Sequence, residues 1–428
     1  MHCKGLINPL RCRGLKKEDL LDAGVGNAAD RQMGGCADMR RSFADKAVKL
    51  GRYERGWAAA DSVCEACGAG VDGAGVFGDS AGSGDGWAGK RLLRGVRGEP
   101  VHPDVLGLIS QENVIEIRSK GGAAAMAVDV LRAIRRMRGL GINTVVDMEF
   151  FARSTAMISY LSGAERRIGF HSFGGEGPYR GDLFTHRLRF NPHIHTAQTF
   201  RMMVEAIGAE ADELPTFNMK PAAADEERPR FKASEKDVEE ARDIVRRSAG
   251  GKDVGGLVLM NANCSDLLPL RRWPSERYVE VAKRLTERYP EIYVAFTGGP
   301  DEAEAVAKVV ERAGSERCFS LAGKTTLRQL LVIYGLADVL LTNDSGPAHF
   351  AALTGIDVVT LFGPECPMLF AARTAREHLL WDGIVCSPCV SALNNRTSPC
   401  QNNYCMQNIS AEEVFELVCG IYEKRRGQ

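Results

Sequence analysis

The amino-acid sequence predicts an α/β protein whose helices cover parallel sheets, and three observations carry that expectation. Apolar strand-like runs alternate with helical periods from about residue 113 onward, polar residues gather where those runs end, and 44% hydrophobic with 7% aromatic residues is a globular composition. A chain of 428 residues can form two or three domains with cores of their own. Lys+Arg and Asp+Glu each number 55, so the basic excess of a nucleic-acid binder is missing and no nucleic-acid partner is expected. No apolar run reaches about 18 residues, and the first thirty residues lack the apolar centre of a secretory signal. A cytoplasmic protein is expected.

The chain divides by composition. Residues 1–105 are rich in glycine and poor in proline, and the stretch from Gly70 to Gly86 shows neither the helical nor the strand period. An atypical segment, disordered or mistranslated from a shifted frame, is expected there, without a convincing buried strand. A short helix over Phe43–Leu50 and a lone Cys64/Cys67 pair are its local signals. Residues 106–220 read as the remainder of a first α/β domain, 221–254 as a connector and 255–428 as a second α/β domain with a cysteine-rich tail.

In order, the first domain offers a strand at residues 114–117, an amphipathic helix at 124–138 closed by Gly139, and a buried strand at 144–148. A helix at 154–161 stopped by Gly163 and a strand at 167–170 follow, then a long loop over 171–194 and a helix at 195–207. The connector holds one charged helix, 235–247, ended by Gly250-Gly251. The second domain alternates strands at 257–260, 293–297, 318–321, 339–342 and 357–362 with helices at 275–288, 301–313, 327–336 and 347–353. Such alternation implies right-handed crossovers and a Rossmann-like sheet whose ligands gather at the carboxyl ends of the strands.

Those ends carry the chemistry. The first is followed by Asn261-Ala262-Asn263-Cys264-Ser265-Asp266 and then Arg271-Arg272-Trp273-Pro274, the second by Gly298-Gly299-Pro300-Asp301-Glu302. After 339–342 comes Asn343-Asp344-Ser345-Gly346-Pro347-Ala348-His349, and after 357–362 comes Gly363-Pro364-Glu365. In the third of these, Asp344 or Ser345 can cap the next helix, Pro347 suits its first position, and Gly346 lets backbone approach a ligand, as an anion or pyrophosphate site requires. An ordinary capped crossover helix, with His349 satisfying a neighbour, fits that segment about equally well. Arg271 and Arg272 can neutralise phosphate, and Asp301 or Glu302 can accept from a ribose diol. Each signal is weak alone, but several at successive ends of one sheet must serve a single ligand.

These motifs, Asn343 to His349, Leu361-Phe362-Gly363-Pro364-Glu365 and Arg271 to Pro274, resemble the glycosyltransferase family 9 heptosyltransferases of lipopolysaccharide core synthesis. Val146-Asp147-Met148-Glu149-Phe150-Phe151, Leu161-Ser162-Gly163-Ala164 and Arg167-Ile168-Gly169-Phe170 are similar to the end of that family's acceptor domain, so the resemblance spans roughly residues 110–425. It implies a GT-B architecture, two Rossmann-like domains facing a cleft, here with an incomplete N-terminal domain. The activity it implies is inverting, metal-independent transfer from a nucleotide-sugar, ADP-heptose by type, to a lipid-linked saccharide. By the same match Ser345, Gly346 and the following amides hold the diphosphate, Asp344 the sugar hydroxyls, and Arg271 replaces a lysine against phosphate. Asn263 and Ser265 line the phosphate loop, Glu302 the ribose, and Lys324 with Thr325 the base. His349 belongs to the same donor set. Arg153 and His195 are weak acceptor-side candidates, His195 being equally apt as a helix cap.

The family's general base sits in a Gly-Asp turn after the first strand, and neither Gly78-Asp79 nor Gly84-Asp85 follows an apolar strand or opens a helix. The nearest acidic alternatives are Asp147 and Glu149, whose other reading is strand-end residues satisfied by local amides. A competing functional expectation is therefore a catalytically impaired nucleotide-sugar-binding protein. Cys386, Cys389, Cys400 and Cys405 are spaced to close a tetrahedral structural zinc site, the alternatives being free thiols or a labile disulfide, while catalysis itself requires no cofactor. A lipid-linked acceptor would bring the protein to the cytoplasmic face of the inner membrane by peripheral contact.

Overall fold

The computed structural model describes residues 75–80, 91–96, 114–118, 122–211, 230–264 and 268–427. Two six-stranded sheets organise them, one in each lobe. In the first, β1 (Gly75–Ser80), β2 (Arg91–Val96), β3 (Val114–Arg118), β4 (Ile142–Asp147), β5 (Arg166–Phe170) and β6 (His186–Leu188) lie in the order β3-β2-β1-β4-β5-β6. In the second, β7 (Gly256–Asn261), β8 (Ile292–Phe296), β9 (Cys318–Ser320), β10 (Val339–Asn343), β11 (Asp357–Phe362) and β12 (Glu377–Trp381) lie in the order β12-β11-β10-β7-β8-β9. Every pairing in the second sheet is parallel. Its order, read from β9, is that of a doubly wound nucleotide-binding sheet, and the chain reverses its winding between β7 and β10.

The sequence explains why the second sheet sits where it does. All six residues of β7 and all five of β8 and of β10 are buried, as expected of Leu257-Val258-Leu259-Met260 and its equivalents under helices on both faces. One core cluster unites Val258, Met260, Trp273 and Leu285 with Phe415 and Val418 of the last helix. The other packs Leu257, Leu259 and Leu340 against Ile244 and Val245 of the connector helix and Leu331 and Ile333 of the helix Leu327–Leu336.

Several expectations are corrected. Strands β1 and β2 lie within residues 1–105, where none was expected. β1 pairs antiparallel with both neighbours, against the parallel pairings elsewhere in its sheet. β6 interrupts the expected loop over 171–194, paired to β5. The helix expected at 347–353 is Gly346–Ala351, with Pro347 in its second position. Beyond β11 the second lobe continues through elements that include β12 and the helix Ala411–Arg426, neither of them expected. β12 is an edge strand with no fully buried residue, and the helix Ala411–Arg426 opens with Ser410 accepting from the Glu413 amide at 3.1 Å. The helix at 43–50, Cys64/Cys67 and Gly84-Asp85 lie outside the described residues.

The lobes meet through specific contacts. Phe150, Phe151, Phe170, Phe190 and Phe200 form an aromatic cluster that also takes in Ala392, Leu393 and Phe370 of the second lobe. Edge-to-face pairs such as Phe150–Phe190, with ring centroids 5.3 Å apart at 79°, give the cluster defined geometry beyond its buried area. No helix among the described residues is long and apolar enough to cross a membrane.

Candidate functional site

The winding reversal between β7 and β10 brings two polar loops together, and Asn343 joins them. Its Oδ1 accepts from the Trp273 amide at 3.0 Å and the Tyr278 hydroxyl at 3.1 Å, while its Nδ2 donates to the Asn263 carbonyl at 2.9 Å. Trp273, fully buried, donates its indole N–H to Ile409. The turn ahead of it is braced from outside, for Asn403 Nδ2 donates to the carbonyls of both Leu270 and Arg272. Arg271, between those two carbonyls, is thereby held in a short 3-10 turn with its side chain only 7% exposed.

Arg271 faces Asp344. The guanidinium Nη1 lies 3.9 Å from Asp344 Oδ2, an electrostatic contact too long to be a hydrogen bond. Arg271 Nε and Asp344 Oδ2 are both buried without a hydrogen-bond partner. Burial pushes the Asp344 carboxyl up to about 7, opposed by Arg271, reinforced by the charge of Glu365 and opposed again by Arg396. Buried polar atoms are nearly always satisfied, so this unpartnered donor and unpartnered acceptor make the pair a candidate ligand site.

The other residues named from the sequence lie on the loops after the neighbouring strands. Around Gly298 the loops after β7, β8 and β9 close up, and an added Cβ there would come within 2.7 Å of Asn263 Nδ2, 3.0 Å of Glu302 Oε2 and 3.3 Å of the Ala322 methyl. Asn263 donates to the Thr297 carbonyl at 3.2 Å, and Glu302 accepts from the Gly299 amide at 2.7 Å. Gly323, with φ of +67°, bonds back to Gly298 and leads to Lys324, exposed, and Thr325, half-buried. Ser345 stands at the N-cap of Gly346–Ala351 without a side-chain cap bond, its hydroxyl donating instead to Asn343 O at 3.2 Å. His349 in that helix is held near 4 by burial, with the charges of His195 and Arg271 adding to the effect, and is neutral at pH 7. Ser265 lies outside the described residues.

The first lobe places its candidates differently. Asp147, the last residue of β4, is fully buried and ion-paired to Arg180 at 2.5 Å, and it also accepts from the Glu149 amide at 3.0 Å. Arg180 further donates to Ala152 O, Glu149 O, Phe150 O and Thr155 Oγ1, so this buried cation ties the strand end to the next helix. Burial pushes the Asp147 carboxyl up while Arg180 pulls it down. Glu149 is half-buried, its backbone carrying contacts on both sides. Arg153 opens the helix Arg153–Leu161, exposed, with Nε on Tyr179 O at 3.1 Å. His195 caps Thr196–Glu205, Nδ1 accepting from Ala197 N, which assigns the proton to Nε2 and makes it the donor to Ala371 O across the lobes at 2.8 Å. Antiparallel β1 sets Asp79 opposite Thr144, three positions before the end of β4, so Gly78-Asp79 lies away from the carboxyl edge of this sheet.

Cys386, Cys389, Cys400 and Cys405 are free thiols grading from exposed to buried, close enough that each of the first three raises the last, whose burial pushes it up to about 11. Among the described residues no group of three or more His, Cys, Asp or Glu side chains is arranged to hold a metal ion. Their loop is fixed to the end of β11: the amides of Cys389 and Val390 donate to Pro364 O, and Ser387 Oγ to Gly363 O.

The sequence assigns no structural role to five residues here: Arg180, Asn343 as the clasp, Asn403, and Glu365 with its partner Arg396. Only the last left a signal, an acidic residue placed directly after a buried strand and Gly-Pro.

Residues 130–398 match the family model for glycosyltransferase family 9 (heptosyltransferase). The chain is similar to lipopolysaccharide heptosyltransferase 2 of Salmonella typhimurium, at 36% identity over 103 residues, which are 23% of this chain and 29% of that protein. It thus spans under a third of that relative's length. Among solved structures, a glycosyl transferase family 9 protein from Veillonella parvula superposes with a TM-score of 0.54 at 20% identity, covering 73% of this chain and 82% of the other. ADP-heptose LPS heptosyltransferase II of Escherichia coli gives 0.51 at 17%, covering 73% and 84%. Both likenesses are to the two-lobed GT-B fold.

Proposed function

The chain belongs to glycosyltransferase family 9, and from that premise we propose that it transfers a sugar, heptose by type, from a nucleotide-sugar such as ADP-heptose to a lipid-linked lipopolysaccharide core saccharide. The observation that carries this is the orphaned pair, Arg271 Nε and Asp344 Oδ2, buried at the winding reversal of a doubly wound sheet. A donor without an acceptor takes a phosphate oxygen. An acceptor without a donor takes a sugar hydroxyl. In this reading Arg271, Ser345, Gly346 and the amides after it stabilise charge on the departing diphosphate, while Asp344 orients the sugar, Asn263 and Ser265 border the phosphates, and Glu302 meets the ribose and Lys324 with Thr325 the base.

The proposed chemistry is a single inverting displacement. The oxygen of the acceptor hydroxyl forms its bond to the anomeric carbon as the bond to the diphosphate oxygen breaks; the electron pair leaves on the nucleoside diphosphate and the hydroxyl proton passes to solvent water. A fixed guanidinium and backbone amides supply the positive potential that this charge needs, which supports transfer without a catalytic metal. The cysteine loop is proposed as a brace of the donor site, with any metal it binds structural. The acceptor's lipid supports peripheral contact with the inner membrane's cytoplasmic face.

Incubation with ADP-heptose and a heptose-deficient core acceptor, in chelator, tests the proposal. Release of ADP with a gain of one heptose on the acceptor, read by mass spectrometry, is expected. ADP binding without transfer would favour a nucleotide-sugar-binding role, and no affinity for ADP, UDP or GDP would overturn both.

A further inference from the structure

The end of β11 holds a second buried carboxylate beside Asp344, which the function above leaves unused. Glu365 is 1% exposed, and its Oε1 accepts from both Nη2 and Nε of Arg396, at 2.7 and 3.2 Å. Its Oε2 is buried with no hydrogen-bond partner. Arg396 comes from the cysteine loop, where two consecutive residues, Asn395 and Arg396, adopt φ of 54°. That costly backbone is held by Arg396 N donating to Ser391 O and by Asn394 Nδ2 donating to Cys389 O, and the guanidinium lies 5.8 Å over the Phe370 ring. The loop thus goes to some length to put one cation on one oxygen of Glu365 and leave the other, buried oxygen unpaired.

The polarity of the unpaired atoms orients a ligand. Asp344 follows β10 and Glu365 follows β11, neighbouring parallel strands in register at Asn343↔Leu361, and the Asp344 amide bonds Leu361 O. Both carboxylates present an acceptor oxygen without a donor, and Arg271 Nε presents a donor without an acceptor. Phosphate oxygens accept and cannot serve the carboxylates; hydroxyls can. A metal ion would have to enter beside two guanidiniums, Arg271 and Arg396, whose charges already act on Asp344.

We propose that Glu365 is a second sugar-reading carboxylate of the donor site, positioned by Arg396, and that with Asp344 it selects the transferred sugar by its hydroxyls. The proposal rests on the donor-site reading above and adds a contact to the sugar alone, so nucleotide and nucleotide-sugar affinities separate the two.

Calorimetric titration of the full chain with ADP and with ADP-heptose, in chelator at pH 8, beside Glu365→Gln and Arg396→Ala, is the test. Glu365→Gln should keep ADP affinity within about twofold and lose about tenfold for ADP-heptose, the size of one hydrogen bond to a charged group. Arg396→Ala should show the same pattern more weakly. The pH profile adds a readout that packing alone would not move. Asp344 is faced by Arg271, Glu365 and Arg396, so removing the Glu365 charge should carry the low-pH loss of ADP-heptose affinity to lower pH, and Arg396→Ala should carry it higher. Equal losses for both ligands, no loss for either, or ADP-heptose binding that returns only with added magnesium would overturn the proposal. Failure of the unaltered protein to bind ADP would overturn the donor-site reading and this proposal with it.

Discussion

Asp147 and Asp344 invite comparison because they occupy nearly the same place in two similar sheets. Each stands at the carboxyl end of the strand that follows the winding reversal, β4 in one lobe and β10 in the other, and each is buried beside an arginine. Asp147 has its arginine at 2.5 Å and a backbone amide besides, and Arg180 has a bond for each of its nitrogens. Asp344 has its arginine at 3.9 Å, an oxygen with no donor and a neighbouring carboxylate that raises it further. A buried charge that the protein satisfies builds the fold. One that the protein leaves partly unsatisfied is kept for something else.

The largest expected effect breaks the first member of the pair. Asp147→Ala leaves Arg180 buried without its counter-charge and should lower the free energy of unfolding by about 3–5 kcal/mol in denaturant titration. A folded Asp147→Ala protein of unchanged stability that had lost transfer would instead make Asp147 the general base.

Next in size is the second member. Arg271→Ala should weaken ADP binding by roughly 10- to 100-fold, as for a charged hydrogen bond to phosphate, with less change in stability than Asp147→Ala. Unchanged ADP affinity in calorimetry would remove Arg271 from the diphosphate site.

The pH dependence sharpens the contrast. With Asp344 raised to about 7 from an unfolded value near 4, the native protein retains a proton between about pH 4 and 7 that the unfolded chain releases. This group's contribution to stability therefore grows as pH falls through that window. His349, lowered to about 4, acts with the opposite sign below about 6.5, but it cancels in the difference between the unaltered protein and Asp344→Asn. The difference between their melting temperatures should change as pH falls from 7 toward 5, the unaltered protein gaining on the variant; a constant difference would show an ordinary carboxyl.

The smallest expected effect is at Arg153. Its side chain is exposed with one backbone contact, so Arg153→Ala should change stability by no more than about 0.5 kcal/mol. A rise in KM for the acceptor alone would place it in acceptor recognition, and no kinetic change would leave it a surface residue.

The second lobe was legible because its strands are buried on both faces and read as unbroken apolar runs, and because polar residues after such runs have few structural reasons to be there. β12 and the helix Ala411–Arg426 escaped for opposite reasons. The strand is half-exposed at a sheet edge and lacks an apolar signature, whereas Ser410-Ala411-Glu412-Glu413 carried a start signal hidden beside a cysteine-rich stretch. Asp344 and Arg271 could be named from their places after strands. Their 3.9 Å separation, and the arginines that decide the fates of Asp147 and Glu365, could not. Arg180 reaches Asp147 from 33 residues away and Arg396 reaches Glu365 from 31, through loops without periodicity.

A crystal structure with an ADP-linked sugar is the deciding measurement. A phosphate oxygen should lie within hydrogen-bond distance of the Arg271 guanidinium and a sugar hydroxyl on Asp344 Oδ2, with the Asp147–Arg180 pair unchanged. A ligand bound elsewhere, or one that leaves Asp344 Oδ2 uncovered while engaging Asp147, would contradict these assignments.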